Sequence, residues 1–171
     1  MAPTVLESPT DVAGELPIGD AHIFIDNSNL WIAGQRTYAE RMGLQVSWDP
    51  TWRSDIEWLC TVILQNSNLT PEEQQYDVKV NLYGSIPPPV DTFWKKIDSY
   101  NVRVSVLARS TWTKKEKQVD AKLVAECVKT AAEAHFKEIP SVFIIVSGDR
   151  DVHAAIQTIA GDYSHKVHLW A

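Results

Sequence analysis

Short apolar runs and amphipathic stretches alternate along the chain, and they predict strands that alternate with helices. The predicted strands are bounded by turn residues and span 21–26 (AHIFID), 78–85 (VKVNLYGS), 102–108 (VRVSVLA), 141–148 (SVFIIVSG) and 166–170 (KVHLW). Apolar residues spaced by three and four predict helices in 49–64, 119–135 and 152–160, and prolines open a further one in 86–100. The pattern predicts an α/β fold, with a mainly parallel five-stranded sheet covered on both faces.

The length and composition are those of one globular domain. The chain has 171 residues and is 44% hydrophobic, and we expect the domain to occupy 21–171 after a flexible tail of 1–20. No stretch reaches the roughly 20 apolar residues of a membrane helix, and no signal peptide is evident. Cys60 and Cys127 have no paired spacing, which favours a reducing compartment. We therefore expect an intracellular protein, cytoplasmic or nuclear, with no membrane partner.

The net charge of −6 argues against non-specific binding of nucleic acid over the whole surface. It leaves room for a local basic strip, and the densest is RSTWTKKEK, residues 109–117. In this strip Arg109, Lys114, Lys115 and Lys117 surround the single acid Glu116. The strip is either a solvated charged loop or a place where RNA phosphates bind.

Four aspartates are expected at one edge of the predicted sheet. Asp26 closes the first strand, and Asp149 and Asp151 follow the fourth. Parallel strands all end at the same edge, where ligands bind. Asp120 is in register with the apolar stripe of its helix, whose first turn also lies at that edge, so we expect it to face the sheet.

Each aspartate alone has an ordinary explanation as a helix cap or a turn residue. Together, several carboxylates in a small volume need protonation or a cation between them. Hard oxygen ligands, without cysteine or paired histidine, favour Mg²⁺ or Mn²⁺ over zinc. Such a site suits the hydrolysis of a phosphodiester bond, because the metal activates a bound water.

Three motifs give the chain a resemblance to a known family. FIDNSNLW at 24–31, KKEKQVDAKLVAE at 114–126 and IIVSGDRDV at 144–152 resemble, in order and spacing, the NYN domain family of PIN-like ribonucleases. The resemblance covers about 21–171. It implies a PIN-like three-layer α/β/α sandwich and a metal-dependent endoribonuclease.

The resemblance also implies the roles of individual residues. It puts the catalytic residues at Asp26, Asn29, Asp120, Asp149 and Asp151. The four aspartates would hold Mg²⁺ or Mn²⁺, and Asn29 would orient a ligand or water.

The chain departs from the family pattern at three positions. Arg150 stands where the family usually has a small residue, and Val152 where an aromatic is common. Arg150 either offsets the acidic charge or contacts a substrate phosphate. The acid found later in the same helix as Asp120 is matched only by Glu126, which points to a different part of the helix surface.

The leading hypothesis is an endoribonuclease acting on single-stranded or structured RNA. The residues expected to contact the RNA are Arg109, Trp112, Lys114, Lys115, Lys117 and Arg150. A non-catalytic RNA-binding or interaction module with the same fold is the alternative, and a homodimer or a protein partner that completes the site stays open. A phosphatase with Asp26 as nucleophile is disfavoured, because Ser28 stands where that chemistry needs an acid.

The tryptophans divide into two groups. Trp31 and Trp112 lie close in sequence to the candidate site, where they either stack a base or pack at its rim. The packing residues are expected to be Trp48, Trp52, Trp58 and Trp94.

Overall fold

A computed structural model describes residues 18–86, 102–108 and 119–171 of the chain. Five strands form one sheet in the order β3-β2-β1-β4-β5, and every neighbouring pair is parallel. The strands are β1 (Asp20–Asp26), β2 (Asp77–Ile86), β3 (Arg103–Ala108), β4 (Ser141–Val146) and β5 (Lys166–Trp170). The five predicted strands and their parallel sheet are confirmed.

The described helices cover both faces of this sheet. They are α1 (Asn27–Arg41), α2 (Ile56–Asn66), α3 (Val119–Phe136) and α4 (Val152–Gln157), which continues as a π-helical turn, Thr158–Asp162. On one face, Phe24 and Phe143 pack in a cluster with residues of α3 and α4. On the other face, Ile23 and Ile144 pack in a cluster with residues of α2. The molecule is therefore a three-layer α/β/α sandwich.

The strand alternation decides which helix layer Asp26 lies beside. Side chains of a strand point alternately to the two faces of the sheet, so Asp26 shares a face with Phe24. That face is covered by α3 and α4. The backbone partner of Asp26 on β2 is Tyr83, which is also in the cluster on this face. Asp26 therefore lies on the same side of the sheet as α3, the helix that carries Asp120.

The sequence pattern did not predict α1. The side chain of Asp26 accepts a hydrogen bond from the backbone N–H of Asn29, and so caps the helix. The buried residues of α1 are Asn27, Gln35 and Ala39, two of them polar and one small. A helix that buries polar residues lacks the apolar period by which helices are detected.

Other differences from the predicted elements are smaller. The helix predicted at 49–64 begins only at Ile56, because Asp55 caps it by accepting from the Trp58 N–H. The strand predicted at 141–148 ends at Val146. The predicted tail up to residue 17, the helix at 86–100 from residue 87 onward and the basic strip at 109–117 lie outside the described residues.

The prediction that four tryptophans are packing residues is partly wrong. Trp52 does pack, since a Cβ atom at Gly34 of α1 would overlap its ring. Trp48 and Trp58 are 51% and 64% exposed, so neither belongs to the core. Trp94 lies outside the described residues.

The length and hydropathy of the helices bear on membrane association. In the three described segments, none of the helices has the length and apolar character needed to cross a membrane.

Candidate functional site

Asp26 is fixed at the carboxyl end of β1 by hydrogen bonds to both of its oxygens. Its Oδ1 accepts from the backbone N–H of Asn29 at 3.0 Å, and its Oδ2 accepts from the hydroxyl of Ser147 at 3.1 Å. The residue is only 4% exposed. A buried carboxylate that accepts well-aligned hydrogen bonds is held in one orientation.

Ser147 connects Asp26 to the turn that follows β4. Its hydroxyl oxygen accepts from the backbone N–H of Asp149 at 3.1 Å, while its own backbone N–H donates to the Trp170 carbonyl at 3.0 Å. One hydroxyl therefore serves the carboxylate of Asp26 and the backbone of Asp149. Strand β5, which carries Trp170, thereby holds the backbone of Ser147 in place.

Asn29 makes the second connection between α1 and this turn. Its side-chain oxygen accepts from the backbone N–H of Gly148 at 3.1 Å. A Cβ atom at position 148 would lie 3.1 Å from the same oxygen, which is closer than such contacts ordinarily are. Glycine at this position therefore allows the close approach of Asn29, and the segment Ser147–Asp149 is held from both sides.

Asp149 and Asp151 lie between β4 and α4. One carboxylate oxygen of Asp149 accepts from the backbone N–H of Asp151 at 3.0 Å, which forms a local turn. Asp151 occupies the N-cap position of α4, but its side chain makes no capping hydrogen bond, and it is exposed. Arg150, between the two acids, is exposed as well. Capping therefore does not account for the Asp151 carboxylate.

Asp120 is the second residue of α3 and is partly buried. The buried stripe of this helix includes Val119, Leu123 and Cys127. Asp120 is in register with Val124 and Val128, which pack against the core cluster on this face, while Val119 takes the fully buried place in the first turn. Asp120 lies on the flank of the stripe.

Tyr83 is a residue of this region that the sequence patterns did not single out. It is buried on β2 opposite Asp26. Burial raises the pKa of its phenol, and the nearby Cys127 and Glu126 raise this pKa further. Glu126 thus lies close enough to influence the site face electrostatically. Ser147 was missed too, although its alternation with Phe143 and Ile145 along β4 could have placed it on the face of Asp26.

A metal ion is the group that the resemblance implies at this edge. Within residues 18–86, 102–108 and 119–171, no group of three or more His, Cys, Asp or Glu side chains is arranged to hold one. Magnesium in enzymes is commonly bound by one or two carboxylates, with water and substrate phosphate completing its shell. The oxygen donors of Asp26 and Asp149 suit that mode, while the four-aspartate metal site stays a prediction.

Most of the residues expected to contact RNA lie outside the described part of the chain. They are Arg109, Trp112, Lys114, Lys115 and Lys117. Trp31, in the first turns of α1, is partly buried. Of the predicted RNA contacts, Arg150 alone is placed, and it lies exposed between the acids of the site.

Comparison with known proteins supports the fold and leaves the chemistry open. No family model matches the chain, and no curated protein matches it. The crystal structure of a protein of unknown function from Vibrio parahaemolyticus is similar, with a TM-score of 0.53 at 14% identity. The match covers 88% of this chain and 80% of that one. At this identity the likeness shows a shared fold alone.

Proposed function

We propose that the chain is a metal-dependent endoribonuclease whose reaction takes place at the carboxyl edge of the sheet. The observation that carries the proposal is the Ser147 hydroxyl, which joins the Asp26 carboxylate to the backbone of Asp149. A strand-end acid and an acidic turn from a second strand are thereby held together. Preorganised carboxylates suit the metal-dependent hydrolysis of a phosphodiester bond, because they can hold the metal that activates water.

Each residue of the site has a distinct role in this proposal. Asp26 and Asp149 supply oxygen ligands for Mg²⁺ or Mn²⁺, and Asp120 and Asp151 add negative charge or further ligands. Asn29 keeps the turn at Gly148 in position, because its side-chain oxygen accepts from the Gly148 backbone N–H at 3.1 Å. Arg150 is exposed beside the acids, where its guanidinium can bind a phosphate of the RNA. The metal, when bound, activates water for attack on the phosphorus.

The resemblance to NYN domain proteins supports RNA as the substrate. Its first motif falls on β1 with α1, the described part of its second, 119–126, on α3, and its third on β4 with the start of α4. We also propose that the protein acts inside the cell, where its two free cysteines stay reduced. Burial raises the pKa of the Cys127 thiol and raises that of Cys60 to about 11, so neither is a reactive thiolate at neutral pH.

The test is cleavage of labelled RNA with Mg²⁺, with Mn²⁺ and with EDTA. We expect cleavage only with a metal, and a loss of at least about 100-fold in the Asp149→Asn variant, because electrostatic groups of this kind contribute that much to rate. Asp162→Asn is the matched control, since this exposed aspartate lies in the turn after α4. Metal-independent cleavage, or full activity of both Asp149→Asn and Asp26→Asn, would contradict the assignment.

A second candidate is an RNA-binding module of the same fold that does not cut. It is favoured by the absence of a three-ligand metal group among the described residues. Both oxygens of Asp26 also accept hydrogen bonds that serve the fold. Stable RNA binding, no cleavage with any divalent ion and no rise in melting temperature on adding Mg²⁺ would favour this candidate over the enzyme.

A further inference from the structure

Strand β5 lies at an edge of the sheet, and within residues 18–86, 102–108 and 119–171 its one strand neighbour is β4. The carbonyl of Trp170 faces β4, because it accepts from the backbone N–H of Ser147 at 3.0 Å. The N–H and C=O of a strand residue lie on the same side of the strand, and that side alternates from one residue to the next. Two residues of β5 therefore point their backbone groups away from the sheet, and these are Val167 and Leu169.

The outer edge of β5 lacks the features that commonly prevent strand pairing, which are a proline, a bulge or a lysine left in solvent. Strand β5 contains no proline, and its register with β4 runs without a bulge from Lys166 to Trp170. The ammonium of Lys166 is held by the carboxylate of Glu73 at 2.7 Å and by the carbonyl of Asn68 at 3.2 Å. Leu169, by contrast, is 48% exposed. The edge therefore offers backbone donors and acceptors, with an apolar side chain beside them, to another strand.

The sequence of β5 suits antiparallel pairing with a second copy of itself. If a two-fold axis passes at His168, every residue of the strand has a partner, and the outward groups of Val167 bond to those of Leu169 in the second copy. The exposed Leu169 side chain then packs beside Val167, as an apolar cross-strand pair. The same register places Lys166 opposite Trp170, so the two lysines stand at opposite ends of the strand pair and do not repel each other.

The symmetry of this contact favours a second copy over the strand of an unrelated protein. A two-fold contact is closed, so the free β5 edges of both copies are removed together. A peptide strand added to β5 would instead present a new free edge of its own.

We propose that the protein forms a homodimer in which β5 pairs with β5 of a second copy, so that one sheet runs through both copies. Each copy contributes its five strands. Because the two β5 strands run in opposite directions, the carboxyl edges of the two copies face opposite ways. Each candidate site is therefore formed by one copy alone. The inference concerns assembly and does not rest on the proposed function.

The size of the contact sets the expected strength of the dimer. A stable interface ordinarily buries at least about 1,200 Å² in total, and one pair of short strands covers less. We therefore expect a dimer that dissociates in the micromolar range. Sedimentation velocity over a dilution series, without RNA or metal, measures this equilibrium. A protein that stays monomeric at every concentration up to about 1 mM would overturn the inference.

Leu169→Pro tests the outward backbone groups directly. Proline removes the N–H of this residue, which no described residue of the same copy accepts, and edge strands tolerate proline where the N–H faces outward. We expect the variant to keep its far-UV circular dichroism and to raise the Kd of the dimer at least about tenfold. Leu169→Val is the matched control, because it keeps both the N–H and an apolar side chain, and it should dimerise as the unaltered protein does.

Cysteine substitutions test where the axis lies. In the proposed register the two His168 residues are directly opposite, with Cα atoms about 4.5 Å apart, which is within the range of a disulfide. Each Leu169 is opposite Val167 instead, so the two Leu169 Cα atoms are further apart than the about 7 Å that a disulfide spans. Under mild oxidation we expect His168→Cys to form a disulfide-linked dimer and Leu169→Cys to remain unlinked.

The outcomes decide between this dimer and other contacts. If Leu169→Cys becomes linked as readily as His168→Cys, or if Leu169→Pro dimerises with unchanged strength, the strands do not pair in this way and the inference fails. If Leu169→Pro does not fold, the two cysteine variants decide alone. A dimer that cuts no RNA under any divalent ion would contradict the proposed function and leave this inference standing.

Discussion

Strand β1 carries a buried aspartate at each end, and the two aspartates contact different kinds of partner. At the amino end, the carboxylate of Asp20 forms a salt bridge of 2.6 Å with the ammonium of Lys79, and His22 lies 3.7 Å away. At the carboxyl end, Asp26 accepts hydrogen bonds from the N–H of Asn29 and the hydroxyl of Ser147. Both aspartates lie on the α3 face of the sheet.

The difference shows what distinguishes a structural acid from a candidate ligand. At the amino end, the ammonium of Lys79 offsets the negative charge of Asp20. The carboxylate of Asp20 therefore attracts a further cation less strongly. The two hydrogen bonds at the carboxyl end fix the orientation of Asp26 and join it to a turn that carries two more acids. The proposed metal site is at the carboxyl end, whereas the ion pair at the amino end stabilises the fold.

The largest expected effect concerns His22 at the amino end. Burial lowers the pKa of this histidine to about 4, and its ring stacks on Phe143 with centroids 5.0 Å apart. The unfolded chain binds a proton near pH 6.5 and the folded chain only near pH 4, so stability falls as the pH drops through this interval. The loss reaches about 2 kcal/mol at pH 5 and about 3 kcal/mol near pH 4.

Urea unfolding at pH 8 and pH 5 measures this loss. The His22→Phe variant keeps a stacked ring but cannot be protonated, so we expect its stability to fall about 2 kcal/mol less than that of the unaltered protein between these pH values. His153→Gln is the control, because His153 is exposed on α4. If the His22→Phe variant loses as much stability between pH 8 and pH 5 as the His153→Gln variant does, His22 is not the group whose protonation destabilises the fold.

At the carboxyl end, Ser147→Ala is expected to destabilise the fold by about 1–3 kcal/mol. The substitution leaves the buried Oδ2 of Asp26 and the N–H of Asp149 without the hydroxyl that serves both. Cleavage should fall as well, with a higher Mg²⁺ concentration needed for half of the maximal rate. A variant that loses stability but keeps its metal dependence would show that the hydroxyl serves the fold alone.

The sheet could be predicted from the sequence because its signal is local and strong. Central strands such as β4 are continuous apolar runs, and the acids that follow them are at the carboxyl edge by the rule of parallel strands. Helix α1 could not be predicted, because its buried positions Asn27 and Gln35 are polar. Their burial depends on tertiary packing, which no local periodicity reports.

The acids of the candidate site could be predicted from the sequence, but the residues that hold those acids in place could not. Asp26 and Asp149 stand out beside apolar runs, but Ser147 is an ordinary turn residue until the register of β1 against β4 brings it beside Asp26. Trp48 and Trp58 are the opposite case, because they stand out in the sequence but were expected in the wrong place. Tryptophan is usually packed, and only the folded structure shows that these two rings are left exposed.

The smallest expected effect is that of removing the cation at the amino end. Lys79 is about half exposed, at 46%, so solvent weakens its attraction to Asp20. We expect Lys79→Met to destabilise the fold by about 1 kcal/mol or less in urea unfolding, and to leave RNA cleavage unchanged. Asp77→Asn is the companion variant, because the carboxylate of Asp77, on the same edge, lies 4.0 Å from the Lys79 ammonium. It should lower the free energy of unfolding by less than Lys79→Met does. A loss of cleavage in Lys79→Met would mean that the two ends of β1 are coupled, and that the division between a structural end and a functional end is wrong.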